Sequence, residues 1–324
     1  MESLKIFLAT FVALMMLIGI GLGVYWFLEK QDNTVVLDEG YIQQEIKDPG
    51  TINPIVSTGM TFIEVEEEVL LKEQLPTFQN ELLAAKDINE DVMCWLNVPG
   101  TNISYPIPVN TTRYDANGDI DWDYYLNRRL DGSYAPDLDE QSVVYGDSRN
   151  DLTSIENMDG NTILYGHNWT NIETGGIGLK IASDADKMFA QLPSFSNLEF
   201  AQENMFFTLD FEGEQAVFVI FAAMYLDTWN PDNLDGYYYI ETNPNIDQLT
   251  VILSEARKRS EHTYKVPVID TDKIVTLSTC TRKYGQDSNQ RFVIMGRMLR
   301  EGEDLDDFEQ PFQNPTPKRP DVAY

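Results

Sequence analysis

Eight short runs of β-forming residues constrain this chain more than anything else in it. They are Val92–Val98, Ile103–Val109, Ser142–Tyr145, Thr162–His167, Met205–Phe211, Ala216–Leu226, Lys273–Cys280 and Arg291–Leu299. Runs of this kind, separated by turn-rich loops such as Pro99-Gly100-Thr101-Asn102, predict a mainly β domain closed into a barrel or folded as a sandwich. Two stretches break the pattern with helical character. Asp184–Leu192 is short, whereas Ile246–Ser260 places Ile246, Leu249, Ile252, Leu253 and Ala256 on one face. Arg257, Lys258 and Arg259 fall in the last turn of that second stretch, where the helix dipole favours cations. Ahead of the strands, Phe62–Asn89 has apolar residues at helical spacing interrupted by Pro76, which predicts two short helices packed on the domain.

The N-terminus sets the location expected for that domain. Ile6 to Leu28 carries no charge over 23 residues, and at about 1.5 Å per residue such a helix crosses a hydrocarbon core of roughly 30 Å. Tyr25 and Trp26 sit where an aromatic belt belongs. Lys5 and the terminal amine precede the run, while Glu29 and Lys30 cancel after it, so the positive-inside rule favours a cytoplasmic N-terminus. The expected organisation is a cytoplasmic segment at 1–5, a single transmembrane helix at 6–28, a polar stalk at 29–61, the main domain at 62–300 and an acidic, Pro-rich tail at 301–324. The protein is thus expected in the cell membrane with its domain outside and the tail solvated.

Charge narrows the partners. With 53 acidic against 23 basic side chains the net charge is −30, and no cluster of Lys and Arg is long enough for phosphate-backbone binding, which argues against a nucleic-acid partner. Only Cys94 and Cys280 are present, too few for a disulfide framework. Cys94, within Val92-Met93-Cys94-Trp95-Leu96, reads as a buried inert thiol.

Cys280 stands in a more informative place. The runs ending at Cys280 and beginning at Arg291 flank the polar loop Thr281–Gln290, so they are expected to pair antiparallel. Alternation puts Thr276, Ser278 and Cys280 on one face of the first strand and Arg291, Val293 and Met295 on one face of the second. A register with Cys280 opposite Arg291 brings their Cβ atoms to roughly 5 Å. A thiol beside a permanent cation with five donors has the ingredients of an activated nucleophile with an oxyanion partner. Two histidines could move the proton. His167 ends a strand run beside Gly166, which admits a close neighbour; His262 follows the basic helix end and reads as a surface cap facing the dipole.

Thr276-Leu277-Ser278-Thr279-Cys280, the Arg291 that opens R-F-V-x-x-G-R, and the upstream Leu164-Tyr165-Gly166-His167-Asn168 together resemble the signature of sortases, specifically class B. The resemblance runs from about Asp87 to Leu299 and takes in Tyr124–Arg129 and Gly146–Asp151. It implies the eight-stranded sortase β-barrel, with N-terminal helices and a helix inserted before the catalytic strand. His167, Cys280 and Arg291 match the family's catalytic positions, and Leu126, Tyr165 and Ser278 match positions lining its substrate groove. The activity implied is that of a cysteine transpeptidase of a Gram-positive surface. It cleaves the C-terminal sorting signal of secreted proteins after Thr, holds the acyl group as a thioester, and passes it to an amine of a peptidoglycan precursor. No metal or organic cofactor is implied. Two features differ from the family pattern: Thr281-Arg282-Lys283 stands where acidic or aromatic residues are expected, and Asn168–Ser183 replaces a short turn.

Other function classes stay open on the residues alone. A pilin polymerase would use a Lys acceptor, and a membrane-tethered binding module would keep Cys280 as a structural residue. A cell-wall L,D-transpeptidase holds its His within a few residues of its Cys, whereas here 280 − 167 = 113 positions separate them. The acidic run Asp115–Asp121 lacks the Gly and Glu an EF-hand requires, having Ile120 and Leu126 at those places, and is expected to be a polar loop. The N-x-[ST] triplets at Asn102, Asn110 and Asn168 carry no assignment.

Overall fold

The structure, a computed structural model, describes residues 75–137, 139–169, 185–228, 238–283 and 290–320. The uncharged run at 6–28, the stalk and the first of the two expected N-terminal helices lie outside these residues. Among the described residues no helix is long and apolar enough to cross a membrane.

All eight expected strand runs form strands, with bounds shifted by a residue or two except at Ser142–Tyr145. Along the chain the strands are β1 (Val92–Asn97), β2 (Ser104–Pro108), β3 (Tyr145–Gly146), β4 (Asn161–Gly166), β5 (Asn168–Trp169), β6 (Lys187–Met188), β7 (Phe206–Phe211), β8 (Glu214–Asp227), β9 (His262–Thr263), β10 (Ile274–Cys280), β11 (Gln290–Met298) and β12 (Phe312–Gln313). The run at 142–145 shrinks because Ser142 is drawn instead into an isolated bridge with Arg129. Eight strands make one sheet in the order β2-β1-β7-β8-β11-β10-β4-β3. Neighbouring pairs are antiparallel except β4 with β10, which run parallel.

The sheet curls until its two edges meet. Val109, just past β2, bridges Gly146 of β3, and this single contact nearly closes the barrel. Glycine is needed there, because a Cβ on Gly146 would lie 2.8 Å from Val109 Cγ2 and 3.1 Å from Leu152 Cδ1. Closure hides the edge strands that an open sheet would offer for pairing. The interior is filled from β1, β7, β8, β10 and β11, with Leu96, Leu209, Phe218, Leu277 and Ile294 all fully buried.

Among the described residues three α-helices dress the barrel. The helix α1 (Gln79–Ile88) packs Leu82 and Ala85 against Val92 of β1. The segment 185–192 is not helical as expected: Lys187–Met188 forms β6, and Leu192–Ser196 forms a 3-10 turn. Pro193 suits the first turn of such a helix, and Asn197 then caps α2 (Leu198–Glu203) by accepting from Phe200 N at 3.0 Å. The longest helix, α3 (Ile246–Arg259), opens on a capping box in which Asn245 and Gln248 satisfy each other's backbone N–H groups. Its buried side holds Leu249, Ile252 and Ala256 together with Glu255 and Arg259, an ion pair at 3.4 Å, while Ile246 is exposed.

The stretch from Glu301 to Pro320 is tied to the domain although most of its residues are exposed. Fully buried Arg297 grips Glu303 at 2.5 and 2.8 Å, β12 pairs with β9, and Arg319 forks onto buried Glu261 at 2.8 and 2.5 Å. Its charges and prolines face solvent for the most part, and two bidentate ion pairs to buried partners, one to nearby Arg297 and one to distant Glu261, hold it on the surface. The Asp115–Asp121 loop satisfies itself, as expected of a polar turn. Asp115 Oδ1 accepts from Asn117 N at 2.8 Å and Asp119 N at 3.0 Å, which also holds the Asp115 carboxyl below the usual range. Among the described residues no group of acidic, His and Cys side chains could hold a metal ion.

Candidate active site

The ends of β4, β10 and β11 assemble the site. β10 pairs antiparallel with β11 in the register that sets Cys280 directly against Arg291. On its other side β10 runs parallel to β4, with Ser278 beside Tyr165 and Thr279 beside Gly166. The next residues along these two strands are Cys280 and His167. Cys280 thus stands between His167 and Arg291 across three adjacent strand ends. Because side chains alternate, Tyr165 and His167, and likewise Ser278 and Cys280, share one face.

Side chains lock the two parallel strand ends together where the ladder stops. Thr279 Oγ1 donates to the Gly166 carbonyl at 2.7 Å, and Asn168 Nδ2 donates to the Cys280 carbonyl at 2.7 Å. The space at Gly166 is taken not by the backbone or ligand its position suggests but by the Phe189 ring, 2.7 Å from where a Cβ would be.

All six residues singled out in the sequence line one cavity of about 340 Å³: His167, Cys280, Arg291, Leu126, Tyr165 and Ser278. The remaining walls are aromatic and apolar, built from Trp122, Tyr145, Tyr238, Tyr239 and Ile240. These five escaped the sequence reading. A trace of them was legible in the aromatic density around Trp122 and Tyr238-Tyr239, but aromatic side chains mark cores as readily as sites. Tyr239 O–H and Ser278 Oγ are hydrogen-bonded at 3.2 Å, tying one wall to the nucleophile's strand.

His167 is held in one tautomer. Its Nε2 lies 2.6 Å from the Leu126 carbonyl, which can only accept, so Nε2 carries the hydrogen and Nδ1 holds the lone pair of the neutral ring. The ring stacks on Trp169 with centroids 4.4 Å apart and planes 14° from parallel. Burial pushes its pKa below 6.5, and the Leu126 bond and the charge of Asp137 offset this only in part. His167 is therefore neutral at pH 7, with Nδ1 available as a base. Arg291 is half-buried, and its Nη1 donates to the Gln290 carbonyl at 3.1 Å.

The unusual Thr281-Arg282-Lys283 stretch turns its lysine aside. Lys283 Nζ sits 4.0 Å over the Tyr225 ring, a cation–π contact outside the cavity lining, and burial lowers its pKa. Of Asn168–Ser183, only Asn168 and Trp169 fall within the described residues.

The second cysteine and histidine take no part in the cavity. Cys94 is buried in β1, and burial pushes its thiol far above its ordinary pKa of 9.0. His262 is not the expected surface cap. It is buried, with Nε2 3.0 Å from the Phe195 carbonyl and its ring 6.3 Å from that of Tyr264, while its backbone pairs with β12.

Burial lowers the pKa of His262 as it does that of His167. A histidine with a folded pKa below its unfolded value binds fewer protons when folded, so its contribution to stability is full above about pH 6.5 and is lost as pH falls. Urea unfolding of the purified protein in detergent is expected to show a midpoint that drops from pH 7 to pH 5, and drops less in His262→Gln. Equal drops in the two proteins would rule His262 out of that linkage.

No family model matches the chain. Curated relatives do: the chain is 28% identical over 222 residues to sortase B of Listeria monocytogenes, spanning 68% of this chain and 75% of that protein. It is 24% identical over 234 residues to sortase B of Staphylococcus aureus, spanning 72% and 80%. Among solved structures, sortase B of Clostridium perfringens superposes with a TM-score of 0.51 at 26% identity, covering 67% of this chain and 99% of that one. A Staphylococcus aureus sortase B–substrate complex shares the fold, with a TM-score of 0.51 at 23% identity over 69% of this chain and 87% of that one. With a nearly closed eight-stranded barrel and a Cys–Arg strand pair at its lip, the chain is similar in sequence and fold to class B sortases, and these homologues indicate a cysteine transpeptidase.

Proposed function

We propose that Cys280 is the nucleophile of a two-step acyl transfer on C-terminal sorting signals of secreted proteins. The observation that carries this is the row His167–Cys280–Arg291 across three strand ends at one apolar cavity. In the first step the thiol proton passes to His167 Nδ1 and the sulfur attacks the carbonyl carbon of the Thr that precedes the scissile bond. Arg291 binds the tetrahedral oxyanion. As the C–N bond breaks, the imidazolium returns the proton to the leaving amine, which leaves a thioester on Cys280. In the second step an amine of a peptidoglycan precursor attacks the thioester, His167 takes its proton, and the C–S bond breaks to restore the thiol. The apolar and aromatic walls suit the side chains of a short extended peptide and exclude the water that would hydrolyse the thioester. The uncharged run at 6–28 is the anchor in this scheme, with one pass through the cell membrane and the catalytic domain outside.

Incubation of the purified protein with libraries of LPxTG-like and NPxTx-like peptides, followed by intact mass and peptide mapping, is expected to trap an acyl adduct on Cys280 that an added amine discharges. An impermeant maleimide applied to intact cells is expected to label the same residue. An adduct mapped elsewhere would sink the nucleophile assignment, and a Cys280 protected in intact cells would reverse the topology.

A further inference from the structure

Tyr238, Tyr239 and Ile240 form one wall of the cavity, and the segment Tyr238–Thr242 that carries them belongs to no strand or helix. A wall of irregular backbone needs its polar groups satisfied from elsewhere. Four consecutive carbonyls of this segment are captured by residues around β3 and β4. Asn161 Nδ2 donates to those of Tyr239 and Glu241, both at 2.9 Å, and Asn161 N donates to that of Thr242 at 2.9 Å. The Ile240 carbonyl between them accepts from Arg149 Nη2 at 3.0 Å.

Arg149 is itself held by a buried carboxylate. Asp147 is 1% exposed and accepts from Arg149 Nε at 2.9 Å and Nη2 at 2.6 Å, a planar fork-to-fork pair. The remaining contact on Asp147 Oδ2 is the Tyr165 hydroxyl at 3.0 Å. Burial opposes charge on Asp147, but the Arg149 hydrogen bonds outweigh it and hold the carboxyl below the usual range. Tyr165 lines the cavity two residues before His167 and lies beside Ser278. One unbroken chain of hydrogen bonds thus runs from the His167 strand through Tyr165, Asp147 and Arg149 to the backbone of the opposite wall.

The geometry points to Asp147 and Arg149 as a positioning pair that sets the spacing between the Tyr165 wall and the Tyr239–Ile240 wall, and so the fit of the acyl-donor peptide. The inference rests on the cavity being the sorting-signal site. Neither residue touches the reacting atoms, so the pair governs peptide binding rather than the chemistry at Cys280. Arg149 is the place to test it, because its side chain is 44% exposed and its removal leaves no cavity in the core. A lysine keeps the charge but cannot bridge a carboxylate and a carbonyl with a planar fork.

The test compares the full chain in detergent with Arg149→Ala and Arg149→Lys, using a sorting peptide the wild type cleaves. Both variants are expected to raise KM about tenfold, the scale of one charge-assisted hydrogen bond, with kcat within about threefold of wild type. Alkylation of Cys280 by iodoacetamide should keep its wild-type rate. Hydrogen–deuterium exchange supplies a readout that needs no substrate: amides of 238–242 should exchange faster in both variants while those of β10 stay protected. An unchanged KM, or a lysine variant with wild-type KM and exchange, would overturn the positioning role. So would an equal loss of protection in β10, which would make the pair a support of the whole fold. Failure of the wild type to cleave any sorting peptide would instead refute the substrate assignment, and the exchange pattern would still decide whether the pair holds the wall.

Discussion

Cys280→Ala is expected to abolish sorting-peptide cleavage, and Cys94→Ala to leave it nearly intact. The two thiols sit in opposite environments. Cys280 lies half-buried at the lip of the cavity, against Arg291 and one strand from His167. Cys94 faces the barrel core, where burial pushes its pKa far up and keeps it protonated and inert. Loss of an activated nucleophile costs on the order of 10⁶ in turnover, since alanine has no group to carry the acyl chain. Trimming Cys94 removes one sulfur from the core and costs about 1 kcal/mol of stability, with no effect on the row at the strand ends. Turnover assays on both purified variants, with the unfolding midpoint measured alongside, separate the two roles. Activity surviving in Cys280→Ala and vanishing in Cys94→Ala would invert the assignment.

The second large effect concerns Arg291, where charge can be told from geometry. Arg291 faces Cys280 across the antiparallel pair, so any cation there sits close to the sulfur. If the charge alone mattered, Arg291→Lys would keep most activity, because an ammonium at similar distance exerts a similar Coulomb effect. If the residue donates directed hydrogen bonds to the oxyanion and the substrate backbone, the planar fork matters and lysine cannot replace it. Losing an oxyanion donor typically costs roughly 10² to 10³ in turnover, about 3 to 4 kcal/mol. A loss of that order is expected for Arg291→Lys, carried mainly by kcat. A lysine variant that retains more than about a third of wild-type turnover would remove the oxyanion role.

Local order was legible in the sequence, and distant order was not. The run from Ile274 to Cys280, its polar loop and the run from Arg291 onward form a hairpin whose pairing follows from alternation and a short connection, so the Cys280–Arg291 adjacency could be written down beforehand. The helix at 246–259 was equally plain from its periodicity, although its exposed Ile246 shows that a face drawn from sequence ignores where the neighbouring strand ends. The Asp184–Leu192 stretch misled because its apolar residues are buried by loops and a two-stranded pair rather than by one helix face. His262 misled for a related reason. Its side chain meets the Phe195 carbonyl, 67 positions away, a neighbour that nothing around His262 in the sequence specifies.

What the sequence by itself determined is the eight strands of the main sheet, the uncharged N-terminal run and the pairing of Cys280 with Arg291, because each depends on residues within one or two elements. The sequence already favoured His167 over His262, by its strand-end position and by resemblance, but only the tertiary structure set it beside Cys280. That placement rests on β4 lying parallel to β10, a pairing between residues 113 positions apart for Thr279 and Gly166. Parallel neighbours need a long crossover, and no periodicity within either strand specifies which distant strand will supply the partner. The aromatic wall at 238–240, held by Arg149 and Asn161, and the ion pair of Arg319 with Glu261 belong to the same class: they exist because closing the barrel leaves backbone groups and charges that only remote side chains can satisfy.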